Sequence, residues 1–139
     1  MFKNILIIGF GMIGSSIART VLNKNKSIKI FAFDKSPNLK IRINKSKLKR
    51  VKVLKSLNET KDQNIDFIII CTPMLQYQSI FKKLNDIDLQ QTIVTDVGST
   101  KVNIEKIYIQ KKYQFNFIPS HPIAVSYTHL TLPTRAVVV

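Results

Sequence analysis

Short runs of apolar, largely β-branched residues recur along the chain with polar or helix-periodic stretches between them. That alternation predicts parallel strands joined by crossover helices. Asn4 to Ile8 is the first expected strand, apolar after its first residue, as a strand buried on both faces should be. Met12 to Asn23 reads as a helix, because Ile13, Ile17 and Val21 recur every fourth position. Ile28 to Phe33 predicts the second strand. Pro37 to Arg50 is ambiguous, a basic helix at best, and Val51 to Leu54 is a candidate short strand. Asp66 to Cys71 is the clearest buried strand, stopped by Thr72-Pro73. Gln76 to Leu84 predicts a helix, Thr92 to Asp96 a strand, and Lys101 to Lys111 a helix. Phe115 to Pro119 is a last short strand that brings Ser120 and His121 to its end. The expected fold class is α/β, with a doubly wound, mostly parallel sheet.

Composition narrows this picture. The chain has 139 residues, 45% of them hydrophobic, enough for one compact domain, since a domain of about 150 residues buries roughly 70% of its extended-chain surface. A second full domain does not fit. No run of apolar residues is long enough to span a membrane, and the N-terminus lacks the pattern of a secretory signal. The single cysteine, Cys71, excludes an internal disulfide framework and most cysteine-based metal sites. No metal site is expected, and a cytoplasmic location is. The formal charge of +14 raises the question of a nucleic-acid partner, but 18 of the 22 cations are lysines scattered from Lys3 to Lys112. The densest run, Lys40 to Lys55, carries no aromatic residue for base stacking and reads as a solvated face. Neither nucleic acid nor membrane is an expected partner.

After Ala124 the composition changes abruptly. Val125 to Thr134 resembles the translation of one reading frame of a sequencing-library transposon adapter, and such scars are excluded from fold reasoning. The expected organisation is a dinucleotide-binding domain over residues 1–124, incomplete at its C-terminal end, and a non-native tail over 125–139. His129 lies in that tail and receives no role.

The chemistry begins at Gly9-Phe10-Gly11-Met12-Ile13-Gly14, between the first strand and the first helix, which is the context a dinucleotide fingerprint requires. Gly9 permits a tight turn, Gly11 lets the backbone approach a pyrophosphate, and Gly14 lets the helix pack closely on the strand. The helix N-terminus presents free N–H groups to the phosphates. Asp34, at the end of the second strand, stands where a carboxylate can accept both ribose hydroxyls of NAD. It disfavours a 2′-phosphate by like-charge repulsion, although Lys35 could hold one. The reading is a Rossmann-like domain that prefers NAD and leaves NADP possible.

Three further motifs fall at expected strand ends, where doubly wound folds place ligands. They are Cys71-Thr72-Pro73, Thr95-Asp96-Val97-Gly98-Ser99-Thr100-Lys101, and Ile118-Pro119-Ser120-His121-Pro122-Ile123-Ala124. In this order after the glycine turn they resemble the N-terminal domain of prephenate and arogenate dehydrogenases, the enzymes of tyrosine biosynthesis, over residues 3–124. The glycine fingerprint and the Thr-Pro turn are common to many dehydrogenases. The Asp-Val-Gly-Ser-Thr-Lys run followed by Ser-His-Pro-Ile-Ala is specific to this family. There the alanine is normally followed by glycine, where this chain has Val125. The resemblance implies NAD(P)-dependent oxidative decarboxylation, with His121 taking the proton of the substrate hydroxyl and Ser99 hydrogen-bonded nearby. It implies that Thr72 and Pro73, beside Cys71, line the cofactor, and gives Lys101 no chemistry. It also implies a helical C-terminal domain, absent from this chain, that forms a homodimer and supplies cations for the substrate carboxylates.

Plainer readings stand beside these. His121 could be a turn histidine satisfied by backbone, Ser99 a helix cap, and Cys71 a small buried hydrophobe. Tyr108, Tyr113, Phe115 and Phe117 read as packing residues. A 3-hydroxyacid or 6-phosphogluconate type of dehydrogenase has a similar cofactor domain, usually with a catalytic lysine in its helical domain, and a non-catalytic NAD-sensing domain is a second alternative. The sequence does not separate prephenate from arogenate.

Overall fold

The structure is a computed structural model that describes residues 1–46, 48, 50–89, 91–98, 101–123 and 135–138, with backbone alone for 101–103, 121–123 and 135–138. Six parallel strands form its centre: β1 (Asn4–Ile8), β2 (Lys29–Phe33), β3 (Val51–Val53), β4 (Phe67–Ile70), β5 (Ile93–Asp96) and β6 (Asn116–Ile118). Their spatial order is β3-β2-β1-β4-β5-β6, that of the doubly wound dinucleotide fold, as expected. Helices α1 (Met12–Lys24), α2 (Leu39–Lys45), α3 (Tyr77–Asn85) and α4 (Lys101–Gln110) make the longer crossovers. No helix among the described residues is long and apolar enough to cross a membrane.

The continuous apolar runs of the central strands divide their side chains between two cores. Leu6, Ile8, Ile68 and Ile70 pack with Tyr77, Ile80, Phe81 and Leu84 of α3 and Ile104 of α4. Ile5, Ile7 and Ile69 pack with Ala18 and Leu22 of α1 and Leu39 and Ile43 of α2. This is the period-two alternation of a sheet covered on both sides. Phe81 anchors an aromatic cluster, with Tyr108, Tyr113, Phe115 and Phe117 around it at centroid distances of 5.0–6.3 Å. Those four aromatics therefore pack.

The two halves of the sheet meet where β1 pairs with β4, Ile5 opposite Phe67 and Ile8 opposite Ile70. At the N-terminal end of that pairing the Asp66 carboxylate accepts the backbone N–H groups of Lys3 (2.9 Å) and Asn4 (3.1 Å). At the C-terminal end the Cys71 N–H donates to the Ile8 carbonyl at 2.7 Å.

The face that α1 turns to the sheet is centred one position round from the stripe its isoleucines suggest, with Ile17 and Val21 half-buried at its margin. Gly14, Ala18 and Leu22 are its buried residues, while Ile13 is 54% exposed. Small residues bring the helix axis close to the strand, and the stripe one position further round wins for that reason. A 3-10 segment, Leu57–Gln63, which no hydrophobic period announces, links β3 to β4; Ser56 caps it by accepting the Asn58 N–H at 3.2 Å. Beyond the six-stranded sheet, β7 (Ser120–Ile123) pairs antiparallel with β8 (Arg135–Val138), which lies within the stretch set apart on composition.

Candidate functional site

The C-terminal ends of β1, β2, β4 and β5 lie side by side, and the strand order reverses between β1 and β4. Ligands of open α/β sheets bind in the crevice at such a switch point. Gly9, Phe33, Asp34, Thr72, Ser79 and Ile80 are among the residues lining a narrow crevice there.

Each glycine of the turn meets a different constraint. Gly9 has φ +90°, and a Cβ on it would lie 2.7 Å from Thr72 Cγ2 and 2.8 Å from the Cys71 carbonyl carbon; its N–H donates to the Phe33 carbonyl at 2.8 Å. A Cβ on Gly14 would lie 2.3 Å from the Gly9 carbonyl oxygen, so the helix rests on the turn itself. A Cβ on Gly11 would meet nothing within 4 Å. The helix and turn thus close on Gly9 and Gly14 and leave open space at Gly11.

Gly11 is the N-cap of α1, with no side-chain cap and no acidic residue in the first turn. The first N–H groups of a helix lack intrahelical partners and carry a partial positive charge, a combination that suits an anion. Met12, 90% exposed, and Ile13 stand in that first turn. The Phe10 side chain is buried in the core beneath α1 and α2, which leaves its backbone as the part that faces the site.

Asp34 is more engaged than its spacing alone suggests. Its Oδ2 accepts the Phe10 N–H (2.8 Å) and Arg42 Nη2 (3.2 Å), and its Oδ1 accepts the Ser36 N–H (3.0 Å). Arg42 Nη1 donates in turn to the Phe10 carbonyl at 3.0 Å. Burial pushes the Asp34 carboxyl upward, but the N–H groups of Ser36 and Phe10 and the Arg42 guanidinium outweigh it and hold the group below the usual carboxylate value. A carboxylate offers about four acceptor positions; three donors are in place on Asp34 in this structure, which leaves about one position, on Oδ1. Lys35 is exposed beside it.

Past β4, the hydroxyl of Thr72 is buried and has no hydrogen-bond partner, and Pro73 opens the 3-10 turn Met74–Gln76. Burial, with the Asp96 charge added, pushes the Cys71 thiol up to about 12, so it is a packing group and not a thiolate at neutral pH. Among the described residues no cluster of three or more His, Cys, Asp or Glu could hold a metal ion.

The end of β5 carries a group that pattern reading passed over. Asp96 is fully buried, and three segments converge on its carboxylate: Oδ2 accepts Tyr77 Oη (2.9 Å) and the Gly98 N–H (3.0 Å), and Oδ1 accepts the Ser120 N–H (3.3 Å). Burial and the neighbouring Asp96 charge hold the Tyr77 phenol far above its ordinary value, so it stays a neutral donor. The Ser120 hydroxyl donates to the Asp96 carbonyl, and Thr95 Oγ1 lies 3.0 Å from Ser120 Oγ. Gly98 is required by space, since a Cβ there would lie 2.8 Å from Tyr77 Oη. This network pins Gly98 and Ser120, the residues that precede the two expected catalytic positions. His121 follows Ser120 as the second residue of β7, and Ser99, which follows Gly98, lies outside the described residues. The β5 edge is two strand positions from the glycine turn, roughly 10 Å.

Comparisons with known proteins agree with this layout. The family model for the prephenate dehydrogenase nucleotide-binding domain matches residues 17–129. A cyclohexadienyl dehydrogenase of Zymomonas mobilis subsp. mobilis is 28% identical over 129 residues, which is 89% of this chain and 42% of that protein. A prephenate dehydrogenase of Lactococcus lactis subsp. cremoris is 31% identical over 90% of this chain and 35% of its own length. The crystal structure of prephenate dehydrogenase from A. aeolicus in complex with hydroxyphenyl propionate and NAD+ superposes with a TM-score of 0.71 at 26% identity, covering 91% of this chain and 44% of that one. The chain therefore spans less than half the length of these relatives. With a family match over most of its length and the sheet, glycine turn and buried Asp96 network in place, the chain belongs to the prephenate dehydrogenase nucleotide-binding domain family.

Proposed function

We propose that this chain is the cofactor domain, over residues 1–124, of an NAD-dependent dehydrogenase that oxidatively decarboxylates prephenate or arogenate, acting in the cytoplasm as a homodimer formed through a helical domain. The observation that carries the reading is a shared sheet edge. On it lie a turn that is open only at Gly11 and, two strands away, a buried carboxylate that fixes the approach to His121. The residues fit a dinucleotide: the space at Gly11, the uncapped first turn of α1, the orphaned Thr72 hydroxyl and the open position on Asp34 Oδ1 all lie around the switch point.

Gly11, Met12 and Ile13 would bind the pyrophosphate through backbone N–H groups, with Gly9, Phe10 and Gly14 shaping the turn, since the N–H groups of Gly9 and Phe10 are held by the Phe33 carbonyl and Asp34. Asp34 would accept a hydroxyl of the adenosine ribose, with Lys35 at its side, and Cys71, Thr72 and Pro73 would line the cofactor beyond β4. When bound, NAD supplies the hydride acceptor. His121 takes the proton of the substrate hydroxyl as that carbon is oxidised, carbon dioxide leaves and the ring becomes aromatic. An imidazole with an ordinary value near 6.5 suits that transfer at neutral pH. The family resemblance gives Ser99 a hydrogen-bonding role beside it.

The test has two arms. Titration calorimetry on this chain should give NAD binding, and steady-state kinetics on the full-length protein should give turnover of prephenate or arogenate. Full-length His121→Asn should lose about 10²–10⁴-fold in kcat with a smaller change in KM. NAD binding without turnover of either substrate would turn the reading to a sensing domain.

A further inference from the structure

We propose that Arg42 is a specificity-determining residue of this site: it holds Asp34 ready for a ribose 2′-hydroxyl and offers its own remaining N–H groups to a 2′-phosphate, so that the site accepts NADP as well as NAD. The inference rests on the cofactor reading above and extends it.

Phe10, Asp34 and Arg42 form a closed ring of hydrogen bonds, Phe10 N–H to Asp34 Oδ2, Arg42 Nη2 to the same oxygen, and Arg42 Nη1 to the Phe10 carbonyl. The ring fixes the glycine turn against the end of β2 with both acceptor positions of Oδ2 filled, which turns Oδ1 to the ligand. A guanidinium has five N–H donors. Two are used here, which leaves about three, and the side chain is 43% exposed.

Those donors face an open cleft of about 580 Å³ lined by Asp34, Ser36, Asn38, Ile41, Arg42 and Lys45. A second cleft, of about 670 Å³, adjoins it across Asp34 and Ser36 and includes Lys35, Lys40, Lys52 and Lys55 in its lining. Asp34 is the one carboxylate in either lining, against cations in both. A carboxylate alone would repel a 2′-phosphate. With Arg42 paired to it, its charge is neutralised locally and a planar fork of donors stands at the place the phosphate must enter, geometry that suits a phosphate well.

A residue that merely braced the turn would, on removal, weaken both cofactors alike. The test is therefore the ratio of affinities, measured by calorimetry on this chain with NAD and with NADP, for wild type, Arg42→Ala and Arg42→Lys, with a thermal melt to confirm that each variant is folded. Arg42→Ala should weaken NADP about 10–100-fold, the loss of hydrogen bonds to a charged group, and NAD by no more than about 3-fold. Arg42→Lys keeps the charge but not the fork and should fall between. Equal weakening of both cofactors, an unchanged ratio, or NAD binding with no NADP binding in the wild type would overturn the proposal and leave the cofactor reading standing. Binding of neither by the wild type would overturn both.

Discussion

Exchanging Gly11 and Gly14 for alanine, one at a time, sets ligand binding against stability within a single turn. At Gly14 the new Cβ would sit 2.3 Å from the Gly9 carbonyl oxygen and 3.1 Å from Ile7 Cγ2. Side-chain carbons do not approach oxygen closer than about 3 Å, so the helix would have to lift by roughly 1 Å from a close-packed turn. Overpacking of that kind costs about 1–3 kcal/mol, and the better helix propensity of alanine returns about 1 kcal/mol, so a net loss of about 0–2 kcal/mol is expected. At Gly11 the Cβ meets nothing within 4 Å and φ is −87°, outside the left-handed region that favours glycine. The cost is that of alanine in place of glycine at an N-cap, about 0.5–1 kcal/mol. Yet the methyl group would stand in the space the pyrophosphate is proposed to fill, and NAD affinity should fall at least about 10-fold. Urea denaturation and calorimetry on the two variants read the separate effects. A Gly11→Ala chain that binds NAD as the wild type does would refute the placement of the pyrophosphate, and a Gly14→Ala chain more stable than the wild type would refute the packing argument.

Other expectations follow from the charged and buried groups. Tyr77→Phe removes one of the donors to Asp96 Oδ2 inside the core and should cost about 1–3 kcal/mol in urea denaturation; a neutral result would mean that the tyrosine hydroxyl is not needed to satisfy that carboxylate. The Asp34 carboxyl is held below its unfolded value of 3.8, so its contribution to stability is present above about pH 4 and is lost as the pH falls through the folded value. The urea midpoint of the wild type should accordingly drop more between pH 6 and pH 3 than that of Asp34→Asn, and parallel losses would sink the assignment. Cys71, with its thiol pushed up to about 12, should react slowly with iodoacetamide at pH 8 in the folded chain and rapidly in denaturant, and fast labelling of the native chain would contradict its packing role.

Hydrophobic period located all six strands of the sheet because each carries a short apolar, largely β-branched run between turn residues, a signal that does not depend on distant partners. The positions of the glycine turn and Asp34 at the ends of β1 and β2 were legible for the same reason, since local spacing sets them. What escaped was set by distance or by size. Two stripes compete on α1, and hydrophobicity ranks Ile13, Ile17 and Val21 above Gly14, Ala18 and Leu22; only the closeness of the Gly9 carbonyl decides between them. Arg42 was hidden in a basic stretch that reads as solvated, yet it folds back across a turn onto Asp34 and Phe10. Tyr77 and Ser120 reach Asp96 over 19 and 24 residues of chain, and no local pattern encodes such a meeting. The motif that carries Asp96 was visible, but its burial, which makes it a brace, was not.

The pairing of β1 with β4 has a bearing on how the domain assembles. Residues up to Val53 can complete a three-stranded unit, β3-β2-β1, with α1 and α2 over one face, but its other flank stays raw until Phe67–Ile70 arrives. The crevice does not exist before that moment, because one wall, Gly9, belongs to the early half and the other, Thr72, to the late half. A dinucleotide seated there would span the seam and bind only the closed form, adding about 2.7 kcal/mol to the joined state at a ligand concentration one hundred times Kd. Hydrogen exchange at the Cys71 N–H, which donates to the Ile8 carbonyl across that seam, would register the ligand as slower opening of the two halves, making the cofactor in effect the last piece of the fold.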